Sequence, residues 1–271
     1  SVSCVAIAGE GLNMERDYDA DTRVYQSDLR PSDEIGRTAG LRAVERLNPR
    51  RPATGSYPVI YDERVSSGLV GHFLSAINGA AITRGSSWLK DSLGKQVLPS
   101  TCKLVENPHR LRAGASRLFD SEGLATKKRE ILSKGVLNGW TLDLASARKL
   151  RMRPTANASR NVSSNPSPTN WNIELSSPED YCDNLLSEMG NGLLVTSLIG
   201  STINPNTGDY SRGVSGFWVE NGQICYPVSE ITIAGNLRDM LKNIILGNDA
   251  QRHLSYVVPS ILVEEMTLAG S

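Results

Sequence analysis

The feature that most restricts the fold of this sequence is the dipeptide Asn221-Gly222, which separates two alternating segments. In residues 217–220 successive side chains alternate in character, as in a strand with two different faces. Asn-Gly between such segments indicates a two-residue β-hairpin turn, because both turn residues need positive φ. With a second turn at 206–209, residues 192–226 are predicted to form a strongly curved antiparallel sheet with one apolar face packed on helices.

Periodicity and turn residues predict the other elements, and together they indicate an α+β fold. The predicted elements are a hairpin of strands at Val2–Ala8 and Leu12–Asp19 joined at Gly9-Glu10-Gly11, a helix of about 15 residues after Pro31, a strand at 57–61, a helix at 64–77, strands and turns at 98–150, an irregular segment at 154–172, a helix starting at Ser177-Pro178-Glu179-Asp180 and running through Met189, a helix at about 236–245 and a strand at about 260–268.

The segment Arg50-Arg51-Pro52-Ala53-Thr54-Gly55 is basic and rich in helix breakers, which is typical of a linker. We therefore predict a boundary near residue 55, with residues 1–55 and 56–271 in separate domains. The chain also opens at Ser1 on a strand pattern without an initiator Met. That start predicts that it belongs to a larger parent protein.

Composition disfavours several classes of function. Lys plus Arg and Asp plus Glu number 29 each, so no long-range field favours nucleic acid or an anionic membrane. Apolar runs are far shorter than the roughly 20 residues that span a bilayer. The four cysteines contain no C-x-x-C pair and fit neither a disulfide framework nor a thiolate zinc cluster. We expect a cytoplasmic protein that binds neither nucleic acid nor membrane.

Local motifs supply few candidates for chemistry. The three histidines, His72, His109 and His253, are separated by tens of residues, which disfavours a histidine-rich metal site. A basic cluster that includes Arg151, Arg153 and Arg160 adjoins the irregular segment and is either a peptide-binding or a solvated surface. Trp171 beside it is either an interface anchor or a core residue.

Two strings near the C-terminus are more specific. They are Gly213-Val214-Ser215-Gly216-Phe217-Trp218-Val219-Glu220-Asn221-Gly222 and Tyr226-Pro227-Val228-Ser229-Glu230-Ile231-Thr232-Ile233-Ala234-Gly235-Asn236-Leu237, with Asp120-Ser121-Glu122-Gly123 upstream and Met266-Thr267-Leu268-Ala269-Gly270 downstream. This sequence closely resembles the C-terminal part of the TldD/PmbA family, and within it the PmbA branch, also called TldE. The resemblance implies that residues 1–55 are the end of an N-terminal α/β domain and residues 56–271 a C-terminal domain.

The resemblance also defines a place to look for a metal. In the TldD branch a helix carries His-Glu-x-x-x-His, which supplies two zinc ligands and a glutamate that activates the bound water. The corresponding residues here are Ser67, Gly68 and His72, so only the second histidine is present. A distant cysteine completes the family's site, but residues 192–210 contain none, and Cys182 and Cys225 flank that stretch without matching it.

We therefore expect no catalytic residue, metal or cofactor in this chain, with zinc only in a TldD-like partner. The resemblance implies a non-catalytic subunit of a cytoplasmic zinc metallopeptidase that processes peptides and degrades unfolded small proteins, and that forms a homodimer when isolated. The alternatives are a metallopeptidase with a variant site using His72, and a homodimeric peptide-binding module. The family's label "modulator of DNA gyrase" implies a genetic connection and no DNA-binding site.

Overall fold

The computed structural model describes residues 1–178 and 180–270. The helices are α1 (Ser32–Glu45), α2 (Glu63–Ala76), α3 (Gly79–Thr83), α4 (Leu144–Leu150), α5 (Leu185–Met189) and α6 (Leu237–Lys242). The strands are β1 (Val2–Ala8), β2 (Glu15–Asp21), β3 (Gly55–Tyr61), β4 (Lys103–Glu106), β5 (Arg129–Ser133), β6 (Val136–Leu137), β7 (Ala158–Ser159), β8 (Ser167–Pro168), β9 (Ile173–Ser176), β10 (Tyr181–Cys182), β11 (Gly192–Ile203), β12 (Asp209–Glu220), β13 (Gln223–Asn236), β14 (Ile244–Gly247), β15 (Tyr256–Val257) and β16 (Ile261–Ala269).

The main sheet has the strand order β10-β14-β16-β13-β12-β11-β3. Its central strands β11, β12, β13 and β16 are antiparallel, which confirms the predicted curved antiparallel sheet. β3 joins β11 in parallel, as does β10 with β14. Asn221 and Gly222 have φ values of 51° and 74°, so the predicted hairpin turn is confirmed by the conformation that the two residues were expected to adopt.

The main sheet also closes on itself, because β16 pairs with β3 as well as with β13. The first part of β16 lies between β14 and β3, and its second part lies between β13 and β3. A bulge between Val263 and Met266 marks the change of neighbour. Bulges bend a strand and increase its local twist, which is what such a change of partner requires.

The core lies mainly on one face of this closed sheet. Along β3 the side chains of Val59 and Tyr61 belong to the large apolar cluster beneath α2, α6 and the second sheet, whose order is β15-β9-β4-β5-β6. The intervening Ile60 points to the other face and packs in a smaller cluster with residues of α5 such as Leu185. This alternation along one strand places apolar side chains on both faces of the sheet.

Residues 1–45 form a hairpin covered by α1. Ile35, Ala39 and Ala43 recur at helical spacing and are fully buried, which explains why α1 packs along the hairpin. The second strand of the hairpin is β2 at Glu15–Asp21, two to three residues later than predicted, because Gly11–Asn13 forms a short 3₁₀ turn.

One predicted helix is much shorter than expected. Ser177 to Met189 was predicted as one helix, but Tyr181–Cys182 pairs with β14 and the helix begins only at Leu185. Asn184 caps it by accepting a hydrogen bond from the Ser187 amide at 3.1 Å. Glu179 lies outside the described residues. Gly190, with φ of 69°, follows the helix end as predicted.

Two other predictions are corrected. Residues 98–150 were predicted as strands and turns, but Asp143 caps α4 through a reciprocal pair of hydrogen bonds with Ser146. The helix predicted at 236–245 ends at Lys242, because Ile244 begins β14 beside β16. The terminal strand predicted at about 260–268 is confirmed as β16. No helix in the described part of the chain is long and apolar enough to cross a lipid bilayer.

Candidate functional site

The predicted metal-motif positions lie on α2. The helix begins at Asp62, whose side chain accepts a hydrogen bond from the Arg64 amide at 3.1 Å. Its apolar side, including Leu69 and Phe73, is buried in the main core. Ser67, Gly68 and His72 are partly exposed on another side of the same helix. The structure thus brings the three positions onto one helix surface, as their spacing predicts.

His72 is held beside a tyrosine of the sheet. Its imidazole meets the ring of Tyr210 edge to face, with the ring centroids 5.9 Å apart. Partial burial lowers the pKa of His72, and the positive charge of Arg212 lowers it further. The imidazole is therefore neutral at neutral pH. Tyr210 and Arg212 belong to β12, and sequence reasoning missed both because they share no motif with α2.

The residues around His72 do not fit a zinc ion. Zinc in a catalytic site takes three protein ligands, usually His, Cys, Asp or Glu. Within residues 1–178 and 180–270 no three side chains of these types are close enough together to hold a metal. Ser67 offers a neutral hydroxyl, and Gly68 has no side chain.

The two cysteines considered as replacements are elsewhere. Cys182 packs against the smaller apolar cluster on the opposite face of the sheet, and Cys225 is exposed on β13. Neither lies on the face of the sheet that carries Tyr210 and His72.

The backbone at the degenerate motif has room for larger side chains. A Cβ added at Gly68 would meet only Leu198 Cδ1, at 3.8 Å, and one added at Gly71 would meet no atom within 4 Å. A side chain at position 68 is thus sterically allowed. Steric crowding therefore does not explain why the sequence lacks a glutamate at this position.

The predicted basic cluster lies on exposed backbone. Arg151 follows α4 with φ of 54°, and Arg153 and Arg160 lie in the segment that leads to β8. All three residues are exposed. Their role in peptide contact stays a prediction.

Trp171 is a core residue, so the second of the two alternatives that the sequence left open is the one found, and Trp171 is not an exposed interface anchor. It is 3% exposed, its indole N–H donates to the Ala156 carbonyl at 3.0 Å, and the Arg117 guanidinium lies 3.7 Å from its ring centroid. Its backbone N–H donates to the buried Glu106 carboxylate at 2.6 Å. The neighbouring prolines and polar residues are typical of an exposed segment. In the structure, a hydrogen bond to the buried Glu106 carboxylate holds the segment against the core.

A second polar site lies between the N-terminal hairpin and the main sheet. A cavity of about 460 Å³ is lined by residues of β2, α1, α2, β11, β12 and β13, among them Asp17, Arg42 and Glu63. Burial, with the nearby carboxylates of Asp62 and Asp249, raises the pKa of Glu63 to about 7. Sequence reasoning missed this cavity, because its walls come from six separate elements.

The model of the PmbA/TldA metallopeptidase C-terminal domain matches residues 54–270. The chain belongs to the PmbA/TldD family. This family assignment confirms the resemblance carried by the strings at 213–222 and 226–237, and it gives the chain a metallopeptidase-related character.

Curated relatives within the PmbA/TldD family cover the whole chain. It is 44% identical over 271 residues to the protein named Metalloprotease PmbA from Escherichia coli O157:H7, and 42% identical over 272 residues to a Metalloprotease PmbA homolog from Haemophilus influenzae. In both cases the match covers 100% of this chain and 58% of the relative. The chain thus spans less than two thirds of the length of these relatives.

Solved structures agree with the family assignment. A crystal structure described as a putative modulator of DNA gyrase from Bacteroides thetaiotaomicron is 31% identical, with a TM-score of 0.89, and covers 99% of this chain and 59% of that chain. TldE from Thermococcus kodakarensis, at 20% identity and a TM-score of 0.83 over 97% of this chain and 61% of that chain, shares the fold. The predicted α+β fold of PmbA/TldD type is confirmed.

Proposed function

We propose that this chain is part of a non-catalytic, metal-free subunit of a cytoplasmic zinc metallopeptidase. Its partner is a homologous TldD-like subunit that supplies the zinc. The pair processes peptides and degrades unfolded small proteins, and this subunit contributes a folded wall of the chamber in which cleavage takes place.

The observation that carries the proposal is the surface of α2. It presents Ser67 and Gly68 where metal chemistry needs a ligand and a general base, and the remaining His72 is neutral beside the ring of Tyr210. The charge that lowers the pKa of His72 is the cationic guanidinium of Arg212, which would also repel a metal ion. A helix with this surface supports a binding or structural role better than hydrolysis.

The fold is consistent with that role. The family's scaffold is complete from β3 to β16, including the closed sheet and the Asn221-Gly222 turn. A homologous scaffold without metal ligands is suited to association with a metal-bearing copy, because related subunits tend to associate through equivalent surfaces in two-fold or pseudo-two-fold dimers. We expect such an interface to exceed roughly 1,000 Å² of total buried area.

A second candidate is a metallopeptidase with a variant metal site. The word "metalloprotease" in the names of the relatives at 44% and 42% identity favours it. In this case His72 would be one ligand, and the others would come from residues that this fold does not bring to it.

Metal analysis and reconstitution distinguish the two candidates. The full-length protein, purified without chelator, is expected to contain no stoichiometric zinc and to cleave no peptide alone. Mixed with its zinc-bearing homologue, it should permit cleavage that the homologue alone does not perform. About one tightly held zinc per chain that is lost on His72→Ala substitution would establish the variant site. Equal cleavage with and without this subunit, both proteins being folded, would refute the proposal.

A further inference from the structure

Arg212 carries a positive charge that no carboxylate in the described part of the chain pairs with. It lies on β12 and is partly exposed, but its Nε is buried and has no hydrogen-bond partner. A guanidinium stays protonated in proteins, so this charge cannot be relieved by loss of a proton.

The groups near Arg212 do not neutralise it. Tyr210 is two residues away on the same face of β12, and its ring contacts His72. The pKa of Tyr210 is raised, mainly by burial, so the hydroxyl stays protonated. Tyr61, which is fully buried behind it, has a pKa raised well above its usual range for the same reason. At neutral pH the titratable groups identified near Arg212, which are His72, Tyr210 and Tyr61, are therefore uncharged.

The same place is open to an approaching chain. The part of α2 that faces it carries Ser67, Gly68 and Gly71. The open space at Gly71, where an added Cβ would meet no atom within 4 Å, allows a backbone to come close to the helix. Across from the helix, Leu198 on β11 is directly opposite Val214 on β12, packs on the core and adds an apolar contact. We call this region the His72–Arg212 surface, formed by Ser67, Gly68, Gly71, His72, Leu198 and Arg212.

We propose that Arg212 is a binding residue for a peptide carboxylate at the His72–Arg212 surface. A carboxylate matches the guanidinium in charge and accepts two parallel N–H donors, which gives both energy and orientation. The open backbone of α2 accommodates the adjoining peptide. Only the choice of a peptide as the ligand rests on the proposed function.

The chemistry of the site explains why an unpaired cation is retained. A partly buried charge without a partner destabilises a protein, and an apolar residue of similar length would remove that cost. A bound carboxylate offsets the cost only while it is present. The arrangement is therefore unfavourable for stability alone but suited to binding an anionic group.

Fluorescence anisotropy on the full-length protein tests the inference. The probes are three versions of one labelled, unstructured peptide: without acidic residues and with a free C-terminal carboxylate, the same peptide amidated, and an amidated peptide with one internal Glu. We expect binding of the first or third to be at least tenfold tighter than that of the second, in line with the energy of a charge-assisted hydrogen bond. The preferred version identifies the terminal or the side-chain carboxylate as the ligand.

Variants locate the effect. Arg212→Met should remove the preference for carboxylate over amide, and Arg212→Lys should retain part of it, because the charge remains but the two-pronged geometry is lost. Arg37→Met, which removes an exposed arginine of α1 outside both the His72–Arg212 surface and the basic cluster, serves as the matched control and should bind as the unaltered protein does. The melting temperature of Arg212→Met should not fall, since the substitution removes an unpaired charge.

The outcomes that overturn the inference are specific. Equal binding of all three peptides by the unaltered protein would overturn it without any variant. A preference that persists in Arg212→Met, or that is lost in Arg37→Met instead, would also overturn it. These results are independent of the zinc and cleavage measurements that test the proposed function. A carboxylate preference that depends on Arg212 would stand even if the subunit proved to hold zinc.

Discussion

Glu106 offers a sharp test of how the irregular segment at 154–172 is held. The carboxylate is 1% exposed. Its Oε2 accepts from Arg129 Nε at 2.5 Å, and its Oε1 accepts from Asn157 Nδ2 at 2.9 Å, from Asn170 Nδ2 at 3.2 Å and from the Trp171 amide at 2.6 Å. One side chain of β4 thus fixes three points of a segment that has little regular structure of its own.

Glu106→Gln should cost about 3 kcal/mol of unfolding free energy. The glutamine oxygen can keep the bonds from Asn157, Asn170 and Trp171, although they lose the assistance of the charge. Its NH₂ group then faces Arg129 Nε, so that two donors oppose each other. Removing one partner of a buried ion pair costs about 3–5 kcal/mol. The lower end is expected here, because Arg129 retains the Trp140 carbonyl and the Thr141 hydroxyl as acceptors at 2.9 Å.

Thermal unfolding followed by circular dichroism measures this cost. About 3 kcal/mol corresponds to a drop in melting temperature of roughly 6–12 °C for a domain of this size. Glu130→Gln on the next strand is the matched control, because it removes a carboxylate that pairs with Lys103 at the surface, where such pairs contribute about 0–1 kcal/mol. Equal small shifts in the two variants would refute the view that Glu106 anchors the segment.

Three further outcomes are expected. The pKa of Glu63 is raised from 4.5 to about 7 in the folded state, so the folded state binds the proton more tightly and stability falls as pH rises between these values. The melting temperature of Glu63→Gln should therefore exceed that of the unaltered protein by more at pH 8 than at pH 5. An equal difference at the two pH values would contradict this. Asp17→Asn should lower the urea midpoint of unfolding by an amount equivalent to about 3 kcal/mol, because the buried carboxylate pairs with Arg64 at 3.2 Å and with Arg46 at 3.0 Å. A shift no larger than that of a surface carboxylate variant would show that these ion pairs do not stabilise the fold. Cys225 is exposed and should react with iodoacetamide in the native protein. Burial raises the pKa of Cys102 to about 11, so this thiol should be alkylated only in the unfolded protein. Similar alkylation rates at the two thiols in the native protein would contradict the prediction.

The parts of the fold that the sequence predicts well are those with a local signal. Alternation and the Asn221-Gly222 turn are properties of adjacent residues, and the hairpin they predict is present. The helix predicted from Ser177 failed, because pairing of Tyr181 with Leu246 of β14 depends on residues about 65 positions away. Long-range pairing of this kind overrides a local propensity that is worth only tenths of a kcal/mol per residue.

The same distinction applies to the site. The positions Ser67, Gly68 and His72 follow from a motif on one helix, so the sequence places them together. Tyr210 and Arg212 come from a strand some 140 residues away and carry no motif, so the neutral imidazole and the uncompensated guanidinium are visible only in the folded protein.

The pairing of β16 with β3 has a consequence for synthesis. Gly55 lies opposite Leu268, so a strand made early must wait for almost the last residues of this segment before its second edge is covered. Contacts this distant in sequence form slowly, and an uncovered strand edge is a template for aggregation. A ribosome-bound intermediate therefore exposes this edge of β3 until residues 261–268 have been synthesised, and a chain that stops before residue 261 would leave the edge open.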